Sequence, residues 1–527
     1  MTTFGIDLGT TYSCIARYDE EFKRVDVVNN SEGESITPSV VYVNRDGEYV
    51  VGQQAVRQLT TKDAPRVIAC TKREIADDGL CEADDFPYPM YKGKKLNPTT
   101  VSSMILKKLT LDNINVRNIT KAATPEVVIT FPAYFSQGAR ERTREAGENA
   151  GLKVVGMIEE PIAAAFSYGF DEKTRNKTVL VYDLGGGTFD VTIVQFDTKG
   201  KVSILEKYGD PMRGGIDWDN AFAYHIWKRY NETSPQELEL SLEDFTRPTT
   251  ENIPKLLTIN RFRGKAKEAK HMLTDLSSVE VVCDDWGNEV HVTREEFDEV
   301  TRDLLNSTFA PIKELISNVE KIDKVLLVGG STKMKQVRNG LEAEFPQFKG
   351  NVKLHDPDLA VAKGAALYAV AKSAEAHGML SRAPEVVTVP KNIASKSYGL
   401  GCYRGDEDIY HITNLINVGD ELPAVGEEPL FTREENQADV KIEVYESDEK
   451  NQIDENGNSL GVPIEMGNLI SSEAKAIFYN PVPKGTPVHF RFELSEMGEL
   501  RIIARPKNGK DLDFTLRLQG TGKGNRI

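Results

Sequence analysis

One stretch constrains this chain more than any other: Thr178 to Phe196, which reads TVLVYDLGGGTFDVTIVQF. Val179 to Tyr182 and Val191 to Phe196 are apolar, β-branched runs on either side of Gly185, Gly186 and Gly187, a pattern that predicts a β-hairpin with a glycine turn. Three glycines free the backbone to take positive φ and to present successive N–H groups as an anion cradle. Asp183 and Asp190 place hard oxygen ligands beside that cradle. The expected occupant is phosphate with a divalent cation. Taken alone, the stretch reads equally well as an ordinary tight turn.

A second copy weighs against the ordinary turn. Phe4 to Arg17 reads FGIDLGTTYSCIAR, again strand, Asp, Leu, Gly, Thr and strand. Asp7, Leu8, Gly9 and Thr10 parallel Asp183, Leu184, Gly185 and the run from Gly186 to Thr188. The repeat predicts two related halves that face each other, each giving one phosphate hairpin to a shared cleft.

The 527 residues suffice for several domain-sized cores. A hydrophobic fraction of 39% and a charged fraction of 28% are those of a globular chain. No run of about twenty apolar residues could span a bilayer, so no membrane partner is expected. Met1 leads almost directly into the first strand, leaving no room for a signal sequence, and the expected location is cytoplasmic. Cys14, Cys70, Cys81, Cys283 and Cys402 show no CxxC pair and read as reduced thiols. A net charge of −16 repels nucleic-acid backbones, so no nucleic-acid partner is expected. A nucleotide is not excluded, because backbone amides, a few lysines and a metal override the global field at short range.

Along the chain, Lys72 and Arg73 read at first as solvated surface groups. Glu160 sits where a strand ends and a helix begins with Pro161, suited either to complementing the helix dipole or to orienting a water in the cleft. Gly214 and Gly215 form a further turn before a helix from Trp218 to Tyr230. Lys255 to Leu273 predicts a long amphipathic helix whose charge is mostly a solvated face. Lys324 to Lys333, KVLLVGGSTK, is another strand entering a glycine turn, and Asp356 to Asp358 opens the helix carrying Ala360 to Ala371. Strand, glycine turn and helix recur through about residue 375, an α/β pattern with ligand contacts at strand ends. Beyond Glu385, short β runs alternate with Gly, Pro, Asn and Asp turns, as in an all-β sandwich. Ser381 to Ala394 reads as a linker with an apolar stripe of Val386, Val387 and Val389.

Five motifs in this order, GIDLGTTYS, ITFPAYF, EEPIAAAFSYG, DLGGGTFDV and LVGGSTK, resemble the heat-shock protein 70 chaperone family along essentially the whole chain. The resemblance implies an α/β, actin-like ATPase domain of two lobes at residues 1–380, a linker at 381–394 and an all-β sandwich peptide-binding domain at 395–527. It implies ATP or ADP with Mg²⁺, K⁺ as a further candidate ion, and an ATP-dependent chaperone that couples binding of exposed apolar peptide to hydrolysis. Implied partners are unfolded or extended client peptides, a J-domain co-chaperone and a nucleotide exchange factor.

Carried over residue by residue, Asp7 and Asp183 would hold the Mg²⁺ shell. Gly9, Thr10, Thr11 and Tyr12 would line the first phosphate loop, and Gly185, Gly186, Gly187 and Thr188 the second. Lys72 would meet the γ-phosphate, reversing its surface reading, and Glu160 and Asp190 would position the attacking water. Gly214, Gly215, Lys267, Lys270, His271, Thr274, Gly329, Gly330, Ser331, Lys333 and Asp358 would complete the nucleotide pocket. Leu400, Tyr403, Phe431, Val440 and Ile442 match the family's peptide groove and arch, with sandwich core as the competing reading.

Several positions depart from the family pattern. The adenine clamp, usually Glu, Arg and Ser on one helix plus a later Arg, appears here as Lys267, His271, Thr274 and Lys333, and histidine or lysine stacks on a purine less well than arginine. Ile216 replaces an acidic residue, and the linker lacks the leucine-rich run between aspartates. The sequence ends at Ile527 without the helical lid, which predicts faster peptide release. Two rivals stay open at this point: a small-molecule kinase on the same fold, opposed by the β sandwich, and a regulatory nucleotide-binding protein with little turnover that acts on another chaperone's cycle.

Overall fold

The computed structural model describes residues 2–83, 86–172, 174–234, 238–376, 394, 396–404, 409–420, 422–453, 459–495 and 499–517. The chain divides into two compact units, residues 1–135 with 139–389, and residues 136–138 with 390–527. The expected linker, 381–394, lies outside the described residues except for Ala394, and so do residues 518–527.

Two sheets of one design build the first unit. In the first, β1 (Thr3–Asp7) pairs antiparallel with β2 (Tyr12–Asp19), which pairs with β3 (Arg24–Val27); on its other side β1 pairs parallel with β4 (Glu126–Phe131), and β4 with β5 (Lys153–Glu159). In the second, β6 (Lys177–Leu184) pairs antiparallel with β7 (Phe189–Phe196), then β8 (Val202–Asp210), and parallel with β9 (Lys324–Val328), then β10 (Val352–Leu354). Strand for strand the two topologies are the same, so the repeated hairpins are the first two strands of two copies of one lobe. Each parallel neighbour requires a long crossover, and those crossovers are helical.

In the first lobe, α1 (Thr71–Ile75) lies ahead of the crossover helix α2 (Pro98–Leu109), which starts at Asn97, whose side chain accepts from the Thr100 amide. Val101, Ile105 and Leu109 of α2 pack with Ile6, Ile15, Val127 and Ile129 of the sheet. Then α3 (Gln137–Asn149) leads into β5, and α4 (Glu160–Glu172) follows it. In the second lobe, α5 (Gly215–Thr233) and α6 (Ile253–Asp275) cover the sheet with Trp218, Phe222, Ile226, Ile259 and Phe262. Each such side chain contributes about 1.5–3 kcal/mol by leaving water.

Helix α7 (Ala360–Ala376) crosses α4 and lies on β1. Small residues permit this. A Cβ on Gly5 would sit 2.0 Å from the Ala366 amide nitrogen, and one on Gly364 would sit 1.6 Å from the Ala163 carbonyl. The alanines of Glu159 to Gly169 therefore serve backbone approach, and Ala163, Ala164 and Ala165 are fully buried.

The second unit is antiparallel throughout. Strands β11 (Ser397–Tyr403), β12 (Tyr410–Ile416), β15 (Val444–Ser447), β16 (Ser459–Pro463) and β17 (Gly467–Ser471) form one sheet. Strands β13 (Ala424–Phe431), β19 (Pro487–Leu494), β20 (Glu499–Pro506) and β21 (Leu512–Arg517) form the other. A third sheet pairs β14 (Gln437–Lys441) with β18 (Lys475–Val482). Leu400, Ile416 and Val444 from the first sheet share a core with Phe490, Phe492, Leu500 and Ile502 from the second. Alternate residues point inward, as a sandwich requires.

Candidate functional site

The β1–β2 and β6–β7 turns face each other across a cavity of about 420 Å³. Gly185, Gly186 and Gly187 are not there for positive φ: none of the three adopts it. Gly186 and Gly187 are required because the hairpins nearly touch, whereas a Cβ on Gly185 would meet only Thr188 of its own hairpin, at 3.6 Å. A Cβ on Gly186 would lie 1.9 Å from Thr11 Oγ1 and 2.6 Å from Thr11 Cβ, and one on Gly187 would lie 2.3 Å from Thr10 Cγ2.

The second loop is held by its carbonyls. Gly185 O accepts from the Gly215 amide at 3.0 Å and from Ser331 Oγ at 2.8 Å, and Gly186 O accepts from the Ile216 amide at 2.8 Å. Gly187 O accepts from Arg73 Nε at 2.7 Å, and Arg73 also pairs with Asp217 at 2.6 Å. Arg73 is thus a largely buried strut rather than the solvated group expected from its sequence context. With the carbonyls engaged, the amides of Gly186 and Gly187 have no acceptor among the described residues, nor have those of Thr10 and Thr11 in the opposite loop. Thr11 Oγ1 is likewise buried without a partner among the described residues. Unpaired amides cost free energy unless something accepts from them, and amides converging from two loops form an anion nest.

Beside the nest lie Asp7, Asp183 and Glu160, with Lys72 as the buried cation. Lys72, 7% exposed, pairs with Glu160. Burial, then the Glu160 carboxylate, pushes Asp7 up to about 7 against the pull of Lys72. Burial, then Glu160 and Asp7, pushes Asp183 up to about 8. For Lys72, burial acts downward, but Glu160 and Asp7 outweigh it and raise its pKa. Two buried carboxylates and the partly buried Asp7 against one ammonium leave negative charge that a divalent cation would neutralise. No cluster of three or more metal-ligating side chains exists among the described residues. That donor set fits Mg²⁺, which takes one or two carboxylates and fills its octahedron with water and phosphate oxygens.

The rest of the cavity wall comes from α6 and the β9 turn. Lys267, Lys270, His271 and Thr274 share one face of α6 and line the cavity, as do Gly329, Gly330, Ser331, Lys333 and Asp358. Lys267 and Lys270 thus leave the solvated face expected for most of the α6 charge, while Arg261 and Glu268 are exposed. Lys270 is buried and pairs with Asp219 at 2.7 Å, and Lys267 donates to Tyr12 Oη at 3.0 Å. Lys333 and Asp358 pair with each other. Partial burial, then Lys270 and Lys267, holds His271 below the usual imidazole range.

Three expected residues, Gly187, Asp190 and Gly214, stand behind the wall. Asp190, fully buried, accepts from the Ala133 amide at 3.1 Å, which ties β7 to the loop after β4. Burial, then Glu160 and Asp183, raises its pKa strongly. Gly214 packs against Gly187, where a Cβ would lie 2.5 Å from the Gly187 amide nitrogen. Ser13, Ile36, Asp219 and Met334 line the cavity without having been singled out in the sequence. Of these, only Ser13, inside the first motif, carried a signal.

In the second unit, Leu400, Tyr403, Phe431, Val440 and Ile442 all border one groove of about 1170 Å³. Leu400 and Ile442 form its floor and belong to the sandwich core, Val440 is half-buried, and Tyr403 and Phe431 are exposed. The ring of Tyr403 is covered not by Phe431 but by Arg433, whose guanidinium carbon lies 3.9 Å from the ring centroid, with Tyr410 on another side at 4.8 Å. A cation over an aromatic face is attracted by its quadrupole. That pairing escaped the sequence reading because it joins two strands' ends.

Residues 3–463 match the family model described as Hsp70 protein. The chain is similar to the mitochondrial heat shock 70 kDa protein of Dictyostelium discoideum, 31% identical over 98% of this chain and 75% of that protein. It is similar to chaperone protein DnaK of Thermosipho melanesiensis, 30% identical over 98% of this chain and 78% of that protein. DnaK of Thermotoga petrophila is 31% identical over 95% of this chain and 78% of that protein. With the family's repeated lobes, facing loops and β sandwich in place, the chain belongs to the heat-shock protein 70 family.

Proposed function

We propose that the cavity between the two loops binds Mg²⁺ and ATP and hydrolyses the γ-phosphate, and that the groove of the β sandwich holds extended apolar peptide, the two working together as an ATP-dependent chaperone. The observation that carries the reading is the set of three unpartnered amides of cavity-lining residues, Thr10, Thr11 and Gly186, gathered from both loops beside Asp7 and Asp183. Mg²⁺ bound there would neutralise charge on the phosphates. Thr188, Gly9 and Tyr12 border the same loops, and the α6 face with Lys333 and Asp358 takes the nucleoside.

Lys72 would leave Glu160 to meet the γ-phosphate, freeing Glu160 to orient the attacking water. Asp190 would act through position, holding β7 against the loop after β4. Hydrolysis of this kind depends on positioning and charge stabilisation more than on covalent chemistry. In the second unit a peptide strand would lay apolar side chains on Leu400, Val440 and Ile442 beneath Tyr403 and Arg433.

Residues 1–380 would form the ATPase domain, 381–394 the linker and 395–527 the peptide-binding domain. A J-domain protein and a nucleotide exchange factor are the proposed co-chaperones, K⁺ a further proposed ion and the cytoplasm the proposed location. No helix among the described residues is long and apolar enough to cross a membrane. The test is single-turnover ATP hydrolysis by wild type and Lys72→Ala, with and without a labelled apolar peptide. The reading expects slow wild-type hydrolysis, a loss of at least about 100-fold in the variant, and peptide binding by both. Hydrolysis without any peptide binding overturns the chaperone reading.

A further inference from the structure

The far end of the nucleotide cavity contains a cation whose chemistry is unusual for a sugar-binding position. Lys267, His271 and Thr274 fall at i, i+4 and i+7 on α6, so they form one line along its face. Lys267 is the member of that line that touches the first phosphate loop: its Nζ lies 3.0 Å from Tyr12 Oη and 4.6 Å from the centre of the Tyr12 ring. A nucleotide runs phosphate, sugar, base. With its phosphates on the loops and its base beside His271 and Thr274, the sugar falls next to Lys267.

A ribose diol presents two hydroxyls that both donate and accept, and a carboxylate meets them only as an acceptor. An ammonium accepts nothing; it offers three donors and a full positive charge. The two other lysines of this end are neutralised, Lys270 by Asp219 and Lys333 by Asp358. Lys267 has no carboxylate within ion-pair distance among the described residues. Its charge is therefore offered to the cavity, half-buried, where screening by water is reduced.

Resting on the adenine-nucleotide reading above, we propose that Lys267 is a specificity-determining residue that turns the sugar position into an anion subsite, so that the cavity prefers adenosine polyphosphates carrying an additional phosphate on the ribose.

The test is equilibrium binding of ADP, 2′-deoxy-ADP, 2′-phospho-ADP and 3′-phospho-ADP to the full chain, to Lys267→Met and to Lys267→Glu, with thermal melts to show that each variant is folded. Wild type is expected to bind one of the two phosphorylated nucleotides about tenfold more tightly than ADP. The two phosphorylated probes separate the 2′ from the 3′ position. Lys267→Met should erase the preference, and Lys267→Glu should invert it while making 2′-deoxy-ADP the weaker of the two unphosphorylated ligands. If both phosphorylated nucleotides bind wild type no better than ADP, or if Lys267→Met leaves their advantage intact, the inference is overturned while the ATPase reading stands. If ADP itself does not bind, the ATPase reading falls and this inference with it.

Discussion

Replacing Gly186 by alanine probes the reason for the glycine loop. The added Cβ would meet Thr11 Oγ1 at 1.9 Å and Thr11 Cβ at 2.6 Å. Rotating the Thr11 side chain relieves the first contact but not the second, because the Thr11 Cβ is fixed to the backbone. Restoring ordinary van der Waals separation then requires the two loops to move apart by about 1 Å. Overpacking of this size costs about 1–3 kcal/mol of stability, and a displacement of about 1 Å at reacting groups costs about 100-fold in rate. Single-turnover ATP hydrolysis should fall by about that factor while the protein still melts cooperatively, a few degrees lower. Pairing the change with Thr11→Gly removes both clashing atoms and should recover about tenfold or more of the loss. If Gly186→Ala hydrolyses ATP within about threefold of wild type, the loops are not held at the separation described here, and the argument from close approach fails.

Other expectations follow from single residues. Arg73→Ala removes the fork that joins Gly187 O to Asp217; it should lower stability by about 2–4 kcal/mol by leaving a largely buried carboxylate unpaired, readable as the urea midpoint. Burial raises Glu74 from 4.5 to about 7, and its Oε2 is buried with no partner among the described residues. Because the folded state holds this proton more tightly than the unfolded state, stability is lost as pH rises from about 4.5 to 7. Glu74→Gln should therefore be neutral near pH 4 and stabilising by about 1–2 kcal/mol at pH 8, a value halved for the group's residual contact with water, as denaturant titrations at both pH values would show. Asp7 and Asp183, raised to about 7 and about 8, must lose protons to hold a cation. Binding of Mg·ADP at pH 7 should release protons, seen as a buffer-dependent calorimetric enthalpy, and should tighten as pH rises to about 8.

The two lobes were legible because a hairpin is a local object: strand, aspartate, glycine turn and strand occupy nineteen consecutive residues from Thr178 to Phe196, and the copy at Phe4 shares their order. The alternation of β runs marked the sandwich for the same reason. What the sequence left open depends on contacts between distant segments. Gly186 and Gly187 looked like a demand for positive φ, yet they answer to Thr11 and Thr10, well over a hundred residues away. Arg73 looked like a surface cation until Asp217 and the Gly187 carbonyl were placed beside it. Val440 and Ile442, indistinguishable as alternate residues of one strand run, separate in the fold, with Ile442 in the core and Val440 half-buried at the groove. Arg433 gave no local sign that it would lie over Tyr403.

The central claim is that two loops from two copies of one lobe close on a single phosphate chain. Amide spectra of the protein labelled with ¹⁵N at glycine and threonine, recorded during titration with Mg·ADP, test it directly. The account predicts that the amides of Thr10, Thr11, Gly186 and Gly187 shift together with one binding constant and gain protection from exchange. Shifts confined to one loop, or no shifts at any of the four, would contradict it.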